Sequence, residues 1–126
     1  MAYTPPDFCP RSFAFACDIV RLYRVLEKTV PMPLARQVLR AGTSIGANLE
    51  EAKVAQSRRD LRSKFSIALK EARETNYWLR LLTATNLTPS ETVAPCLREA
   101  NEFVAILTAS VRSLKAEEEG NNATRG

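Results

Sequence analysis

The polar side chains that could carry chemistry in this chain lie on two neighbouring predicted helices. Asn48 and Thr75 fall on apolar stripes where aliphatic residues are expected, and Glu51 and Glu71 lie near the same edges. A buried polar group costs free energy unless it is hydrogen-bonded, so each of these side chains needs a specific partner. One hypothesis is a polar site between helices that holds a metal ion or a small molecule through Glu51 and Glu71. The other is structural, with Asn48 and Thr75 as counterparts that fix helix register and partner choice.

The composition removes most metal and nucleophile chemistry. The chain has no histidine, so neither a Glu-x-x-His metal pattern nor a histidine-activated nucleophile can be built within one chain. Cys9, Cys17 and Cys96 stand at unrelated spacings without a CxxC pair, which argues against zinc and iron–sulfur sites. We therefore expect free cysteines that pack as small hydrophobes, no metal, no cofactor and no enzymatic activity.

A basic turn between the second and third predicted helices is the candidate site for nucleic acid. The formal net charge is +4, and residues 36–80 hold ten of the 18 Lys and Arg residues but five of the 14 acidic residues. The cations that crowd the turn are Lys53, Arg58, Arg59, Arg62 and Lys64. Such a patch can neutralise the phosphates of RNA or DNA, although no aromatic residues alternate with the cations to stack on bases. The alternative is an ordinary solvated turn, and residues 117–119, all glutamates, are expected at the same end, where they would partly neutralise it.

Four helical segments must position these residues. Apolar residues recur in steps of three and four over about residues 11–28, 33–56, 58–85 and 89–116. The Val30-Pro31-Met32-Pro33 segment ends the first helix, and capping boxes that begin at Ser57 and Thr88 start the third and fourth. Four such stripes joined by short loops predict an all-α, antiparallel up-down-up-down four-helix bundle.

The ends of the chain and its compartment follow from composition. Residues 1–10 predict an irregular lead, and the polar residues 117–126 predict a disordered tail. No apolar run approaches the length of about 20 residues that a membrane span needs, and the N-terminus lacks the pattern of a signal peptide. We therefore expect a cytoplasmic protein with no membrane contact.

A second apolar face on the third helix indicates self-association. Ile67, Trp78 and Leu81 cluster about 110° from the core stripe, and exposed apolar patches of this kind mark contacts with another chain. We assign Gly42 and Gly46 on the second helix to the same oligomer interface, because two helix glycines indicate close approach of another helix or a slot for a large side chain such as Trp78. The alternative for Trp78 is a broad core face that covers an edge of the bundle.

Two motifs resemble a known family. They are RAGTSIGANLEEA at residues 40–52 and FSIALKEARETNYWL at residues 65–79. With the first and fourth helices in their expected places, the resemblance covers about residues 10–115. The chain resembles the small bacterial four-helix-bundle proteins that include the product encoded within ribosomal-RNA intervening sequences. The second motif, with KEARET and Trp78, resembles one branch of the family rather than the intervening-sequence proteins themselves. The family is also related to the accessory variability proteins of retroelements.

The resemblance carries its own expectations about function. It implies a homopentamer around a central axis and no known catalytic activity. Related accessory proteins bind nucleic acid and a reverse transcriptase in diversity-generating retroelements, so RNA, DNA or a protein is a possible partner. By motif match, the signature positions are Ser44, Asn48, Glu51, Glu71, Thr75 and Trp78. The resemblance implies that their role is structural or interfacial.

Overall fold

Four helices account for most of residues 2–125, the part of the chain that the computed structural model describes, with side chains through residue 120. The helices are α1 (Cys9–Leu26), α2 (Met32–Ala52), α3 (Arg58–Ala84) and α4 (Ser90–Arg125). Each helix packs against the next one along the chain, and α1 also packs against α4, which closes the bundle. The predicted all-α antiparallel four-helix bundle is confirmed.

The centre of the bundle is an apolar core to which all four helices contribute. Phe15 of α1 and Phe103 of α4 lie with ring centroids 5.5 Å apart, and both are almost fully buried. Ile45 of α2 and Leu79 of α3 are also inaccessible to solvent. Burying large apolar side chains is the main favourable term in folding, so this core is what holds the four helices together.

The helix starts are held by local contacts. The Ser57 hydroxyl accepts from the Asp60 amide at 3.0 Å, so Ser57 caps α3 as the sequence predicts. The second predicted cap does not form in this way, because Thr88 is buried and its hydroxyl has no described hydrogen-bond partner. The Thr92 amide instead donates to the Pro89 carbonyl at 3.1 Å at the start of α4.

Helix α1 begins and ends two residues earlier than predicted, at Cys9 and Leu26, so the predicted irregular lead of residues 1–10 overlaps the first helix. Two helix ends differ by more than two residues. Helix α2 ends at Ala52, four residues before the predicted end, and leaves residues 53–57 as the turn before α3. Helix α4 continues to Arg125, where a disordered tail is predicted from residue 117 onwards. The carboxylates of Glu117 and Glu118 form ion pairs with Arg58 and Arg62 of α3, and these contacts hold the turn after residue 116 against α3. Met1 and Gly126 lie outside the described residues.

The helices are amphipathic rather than uniformly apolar. Within residues 2–125, no helix combines the length and the apolar character that crossing a membrane would require.

Candidate interaction surfaces of the bundle

Asn48 and Thr75 are each satisfied within their own helix. The Asn48 side-chain amide donates to the Ser44 carbonyl at 2.8 Å. The Thr75 hydroxyl donates to the Glu71 carbonyl at 2.8 Å. Thr75 is fully buried, whereas Asn48 is half-buried because the adjacent Leu49 takes the core position on α2. The predicted pairing of Asn48 with Thr75 is therefore wrong, and their described side-chain bonds do not join the two helices.

The carboxylates of Glu51 and Glu71 are neutralised separately. Glu51 lies 2.9 Å from the Lys64 ammonium, an interaction that raises the pKa of Lys64 above its ordinary value. Glu71 lies 3.1 Å from the Arg40 guanidinium, which also pairs with Glu74 and so clamps α2 to α3. Lys64 and Glu71 are seven residues apart on α3, which places the two ion pairs about 10 Å apart along the helix.

The predicted polar site between the helices is therefore not assembled. Each of the two carboxylates already has a cationic partner, and they do not converge on a shared position. Among the described residues, no group of three or more acidic or cysteine side chains could hold a metal ion. Ser44, the remaining polar signature position of α2, donates its hydroxyl to the Arg40 carbonyl within its own helix. Ser44, Asn48 and Thr75 thus form hydrogen bonds within their own helices. Glu51 and Glu71 form ion pairs that join α2 to α3.

Gly42 and Gly46 face α1 inside the bundle. A Cβ at Gly42 would lie 2.6 Å from Ile19 Cγ1, and one at Gly46 would lie 3.2 Å from the Ser12 hydroxyl oxygen. Both glycines are buried within the single chain. The expected close approach of another helix is confirmed, with α1 as that helix. The prediction that these glycines line an oligomer interface or a slot for Trp78 is wrong, because α1 fills the space.

The predicted apolar face of α3 is only partly exposed. Ile67 is 36% exposed, whereas Trp78 and Leu81 are half-buried and Trp78 packs against the core. The Tyr77 ring meets the Trp78 ring edge-on, with centroids 5.2 Å apart. The Trp78 indole N–H is buried without a described hydrogen-bond partner. These three residues, Ile67, Trp78 and Leu81, form what we call the α3 apolar face.

A second exposed apolar surface lies on the outer side of α1, and sequence analysis missed it. Phe13 is 68% exposed and Val20 is 46% exposed. They are seven residues apart and share one helix face with Cys17, opposite the face buried in the bundle. We call Phe13, Cys17 and Val20 the α1 apolar face. Its signal in the sequence is the spacing of four and three residues through Phe13, Cys17 and Val20, on the side of α1 opposite the core stripe.

The cations of the basic turn are largely neutralised by acids of the same chain. Lys53 lies 3.4 Å from the Asp7 carboxylate. The Cys9 amide donates to Asp7 at 3.0 Å, and this bond together with Lys53 lowers the pKa of Asp7. Lys64 is occupied by Glu51, as described above.

The end of α4 neutralises two further turn cations. The Arg58 guanidinium lies 2.7 Å from Glu117 and also donates to the Tyr3 carbonyl. Arg62 Nε lies 2.7 Å from a Glu118 carboxylate oxygen, without the alignment of a hydrogen bond. The expectation that the acidic residues 117–119 lie near the basic turn is thus confirmed for its first two members. Arg59 is exposed and makes no ion pair among the described side chains.

A row of cations extends from this turn along the outer face of α3. We call it the basic row, and it consists of Arg59, Arg62, Lys70, Arg73 and Arg80. At about 100° per residue, these five positions fall within an arc of about 80°, and its centre lies about 100° from the α3 apolar face. Lys70, Arg73 and Arg80 are exposed and make no ion pair among the described side chains.

An aromatic residue lies inside the basic row. Tyr77 is 51% exposed, and the Arg80 guanidinium carbon lies 5.9 Å from the centre of its ring. Arg80 also donates to the Asn76 side-chain oxygen at 2.7 Å, which holds the guanidinium on this face. The sequence signal for the row is the spacing of three, four and three residues through Lys70, Arg73, Tyr77 and Arg80. The sequence prediction grouped the cations by their distance from the turn and not by helix face, so it did not identify the basic row.

A cavity of about 570 Å³ lies between the N-terminal lead and the turn before α3. Leu49, Leu61 and Phe65 contribute apolar side chains to its lining, together with Cys9. Burial is the main reason that the pKa of the Cys9 thiol rises to about 12. This thiol is therefore protonated at neutral pH and does not supply the cavity with a nucleophile.

Comparison with known proteins places the bundle among a defined group. Residues 7–109 match the family described as 23S rRNA-intervening sequence protein. A solved structure from Bacteroides thetaiotaomicron, described as a protein of unknown function from the S23 ribosomal protein family, is 40% identical in sequence. It superimposes with a TM-score of 0.76, and the match covers 82% of this chain and 96% of that one. The comparison with curated proteins gives no match.

Proposed function

Since the chain belongs to the 23S rRNA-intervening sequence protein family, we propose that it is a non-enzymatic oligomeric adaptor that binds nucleic acid along the basic row. The family resemblance implies a homopentamer, and we propose that state for this chain. The observation that carries the nucleic-acid part is the set of three exposed cations, Lys70, Arg73 and Arg80, without acidic partners among the described side chains. A carboxylate opposite each of them would have removed the attraction for phosphate.

The residues of the basic row can bind a single-stranded nucleic acid. Cations spaced along one helix face can follow a phosphate backbone, and an exposed aromatic ring between them can stack on an unpaired base. Tyr77 occupies that position, with Arg80 beside its ring. The turn cations at the N-terminal side, by contrast, are mostly occupied by carboxylates and contribute less.

A charge-reversal experiment tests the nucleic-acid part. The triple variant K70E/R73E/R80E should lose binding to a fluorescein-labelled single-stranded oligouridylate at about 50 mM salt, where phosphate contacts are strong. The matched control is R24E/K28E/R36E, which reverses three exposed cations away from the row and changes the net charge equally. Equal loss of binding in both variants, or no binding by the wild-type chain, would reject the row as the interface.

The assembly part of the proposal has two candidate surfaces, the α1 apolar face and the α3 apolar face. Phe13→Asp and Ile67→Asp each place a charge in one of them, and Val54→Asp is the control at an exposed residue of the turn. Sedimentation at tens of micromolar should show a wild-type oligomer and a smaller species for at least one face variant. A monomeric wild-type chain, or an unchanged mass for both face variants, would contradict the proposal.

A further inference from the structure

Glu117 and Glu118 of α4 lie over the N-terminal end of the basic row. Glu117 is 2.7 Å from Arg58, and Glu118 is 2.7 Å from Arg62, which is itself a member of the row. The Glu117 side chain is 15% exposed, so it is inserted against α3 and does not project into solvent. We propose that residues 117–120 are an autoinhibitory strap that occupies the phosphate-binding positions of Arg58 and Arg62. This inference rests on the proposed nucleic-acid function and concerns its regulation.

The chemistry of the two anions makes them competitors. A guanidinium binds a carboxylate or a phosphate through the same N–H groups, so Arg58 and Arg62 cannot fully serve both at once. The strap is attached to the same chain, which gives it a high effective concentration at the basic row. Ion pairs with partly exposed partners are individually weak, so a long polyanion with many phosphates can displace it. Arg58 is held in place independently of the strap, because it also donates to the Tyr3 carbonyl.

The strap has a graded consequence for binding. With the strap in place, a nucleic acid meets Arg59, Lys70, Arg73 and Arg80 as the free cations of the row. With the strap displaced, Arg58 and Arg62 join them and lengthen the phosphate-binding surface at the N-terminal end of α3. A partner that draws the end of α4 away would therefore strengthen binding without contacting the row itself.

The salt dependence of binding is the measurement that tests the strap. The variant is E117Q/E118Q in the full chain, and the control is E27Q/E102Q, which removes two exposed carboxylates that make no ion pair among the described side chains. Both variants have the same net charge. For a single strand, each additional phosphate contact steepens the slope of log K against log salt by about 0.7, so two contacts add about 1.4.

The expected result separates the strap from a general charge effect. Between about 50 and 200 mM salt, the affinity advantage of E117Q/E118Q over the wild type should shrink about sevenfold, which follows from the slope change of about 1.4. The control should shift affinity with an unchanged slope. Truncation after Ala116 removes both carboxylates and should reproduce the slope of E117Q/E118Q. A slope for E117Q/E118Q equal to that of the control would overturn the strap.

A second probe distinguishes failure of the strap from failure of the proposed function. Inorganic polyphosphate presents phosphates without bases and replaces the oligouridylate in the same titrations. If E117Q/E118Q binds polyphosphate with the steeper slope while no protein binds oligouridylate, the strap is supported and the nucleic-acid function fails. If E117Q/E118Q gains over the control on neither probe, the strap is overturned, whatever the wild-type chain binds.

Discussion

Replacing Gly42 with alanine tests the contact that brings α1 against α2. A Cβ at this position would lie 2.6–2.8 Å from three carbon atoms of Ile19. Two of these, Cγ1 and Cγ2, are bonded directly to the Ile19 Cβ, so they move only if the whole side chain rotates. Ile19 is fully buried, and its neighbours in a close-packed core leave no room for that rotation.

Two opposing terms set the expected magnitude. Forcing an additional methyl group into a packed core costs about 1–3 kcal/mol. Alanine in a helix is favoured over glycine by about 1 kcal/mol. Because three contacts fall well below van der Waals distance, the packing term should dominate at Gly42, and Gly42→Ala should lose about 1–2 kcal/mol of the free energy of unfolding.

Urea unfolding followed by the fluorescence of Trp78, the one tryptophan of the chain, measures this loss at a fixed protein concentration. Gly120→Ala is the matched control, because nothing within 4 Å would meet the new Cβ there. The control should be neutral or slightly stabilising. A Gly42→Ala variant as stable as the wild type would refute the close approach of α1 and α2.

A double-mutant cycle assigns the effect to one side chain. Ile19→Ala alone should cost about 2–5 kcal/mol, since it leaves a cavity. In that background the three clashing atoms are gone, so adding Gly42→Ala should be neutral or should stabilise by about 1 kcal/mol. If Gly42→Ala costs the same in both backgrounds, Ile19 is not the residue that demands glycine.

Three further predictions concern single side chains. Thr88→Val should raise the free energy of unfolding by about 1 kcal/mol, because it replaces a buried hydroxyl without a described partner by a methyl group; a loss in urea unfolding would contradict this. Glu99→Gln should lower the free energy of unfolding by about 0.5 kcal/mol at pH 7, because it removes the ion pair with Arg11, 2.7 Å away. The loss is small because both partners are partly exposed and solvent screens the pair. Arg11 lowers the pKa of Glu99, so this contribution is present above the unfolded-state pKa of about 4.3 and disappears as the pH falls through the lowered value; a difference that persists at about pH 2 would be evidence against it. Cys17 should be alkylated faster than Cys9 at about pH 8, because Cys17 is half-buried whereas the buried thiol of Cys9 has a pKa of about 12. Equal alkylation rates, measured by peptide mass spectrometry, would count against that order.

The amphipathic spacing was sufficient to predict the fold. Steps of three and four between apolar residues identify a helix face locally, and proline and Ser57 mark where helices end and begin. The core positions themselves were less accessible. Asn48 and Leu49 are both compatible with the stripe of α2, because a step of three or four from Ile45 reaches either one. Packing against the other helices selected Leu49, the larger apolar side chain, and left Asn48 half-buried.

The candidate sites depended more strongly on residues that are distant in sequence. The type and spacing of Glu51 and Glu71 are compatible with a shared polar site, but Lys64 and Arg40 take one carboxylate each. No local pattern indicates which cation a carboxylate will meet across a helix interface. For the same reason, the basic row was visible in the spacing of its residues, whereas its freedom from acidic partners was not.

Sequence alone determined that this chain forms four amphipathic helices, lacks the residues for histidine-based chemistry, and concentrates positive charge between the second and third helices. These properties are local or compositional, so they do not depend on how the helices meet. Tertiary structure decided which charges remain available. Glu117 contacts Arg58, which lies 59 positions earlier in the chain. The contact forms because α4 runs antiparallel to α3, which places the C-terminal part of α4 beside the first turn of α3. That long-range contact neutralises Arg58, whereas Lys70, Arg73 and Arg80 on the outer face of α3 have no acidic partner among the described side chains.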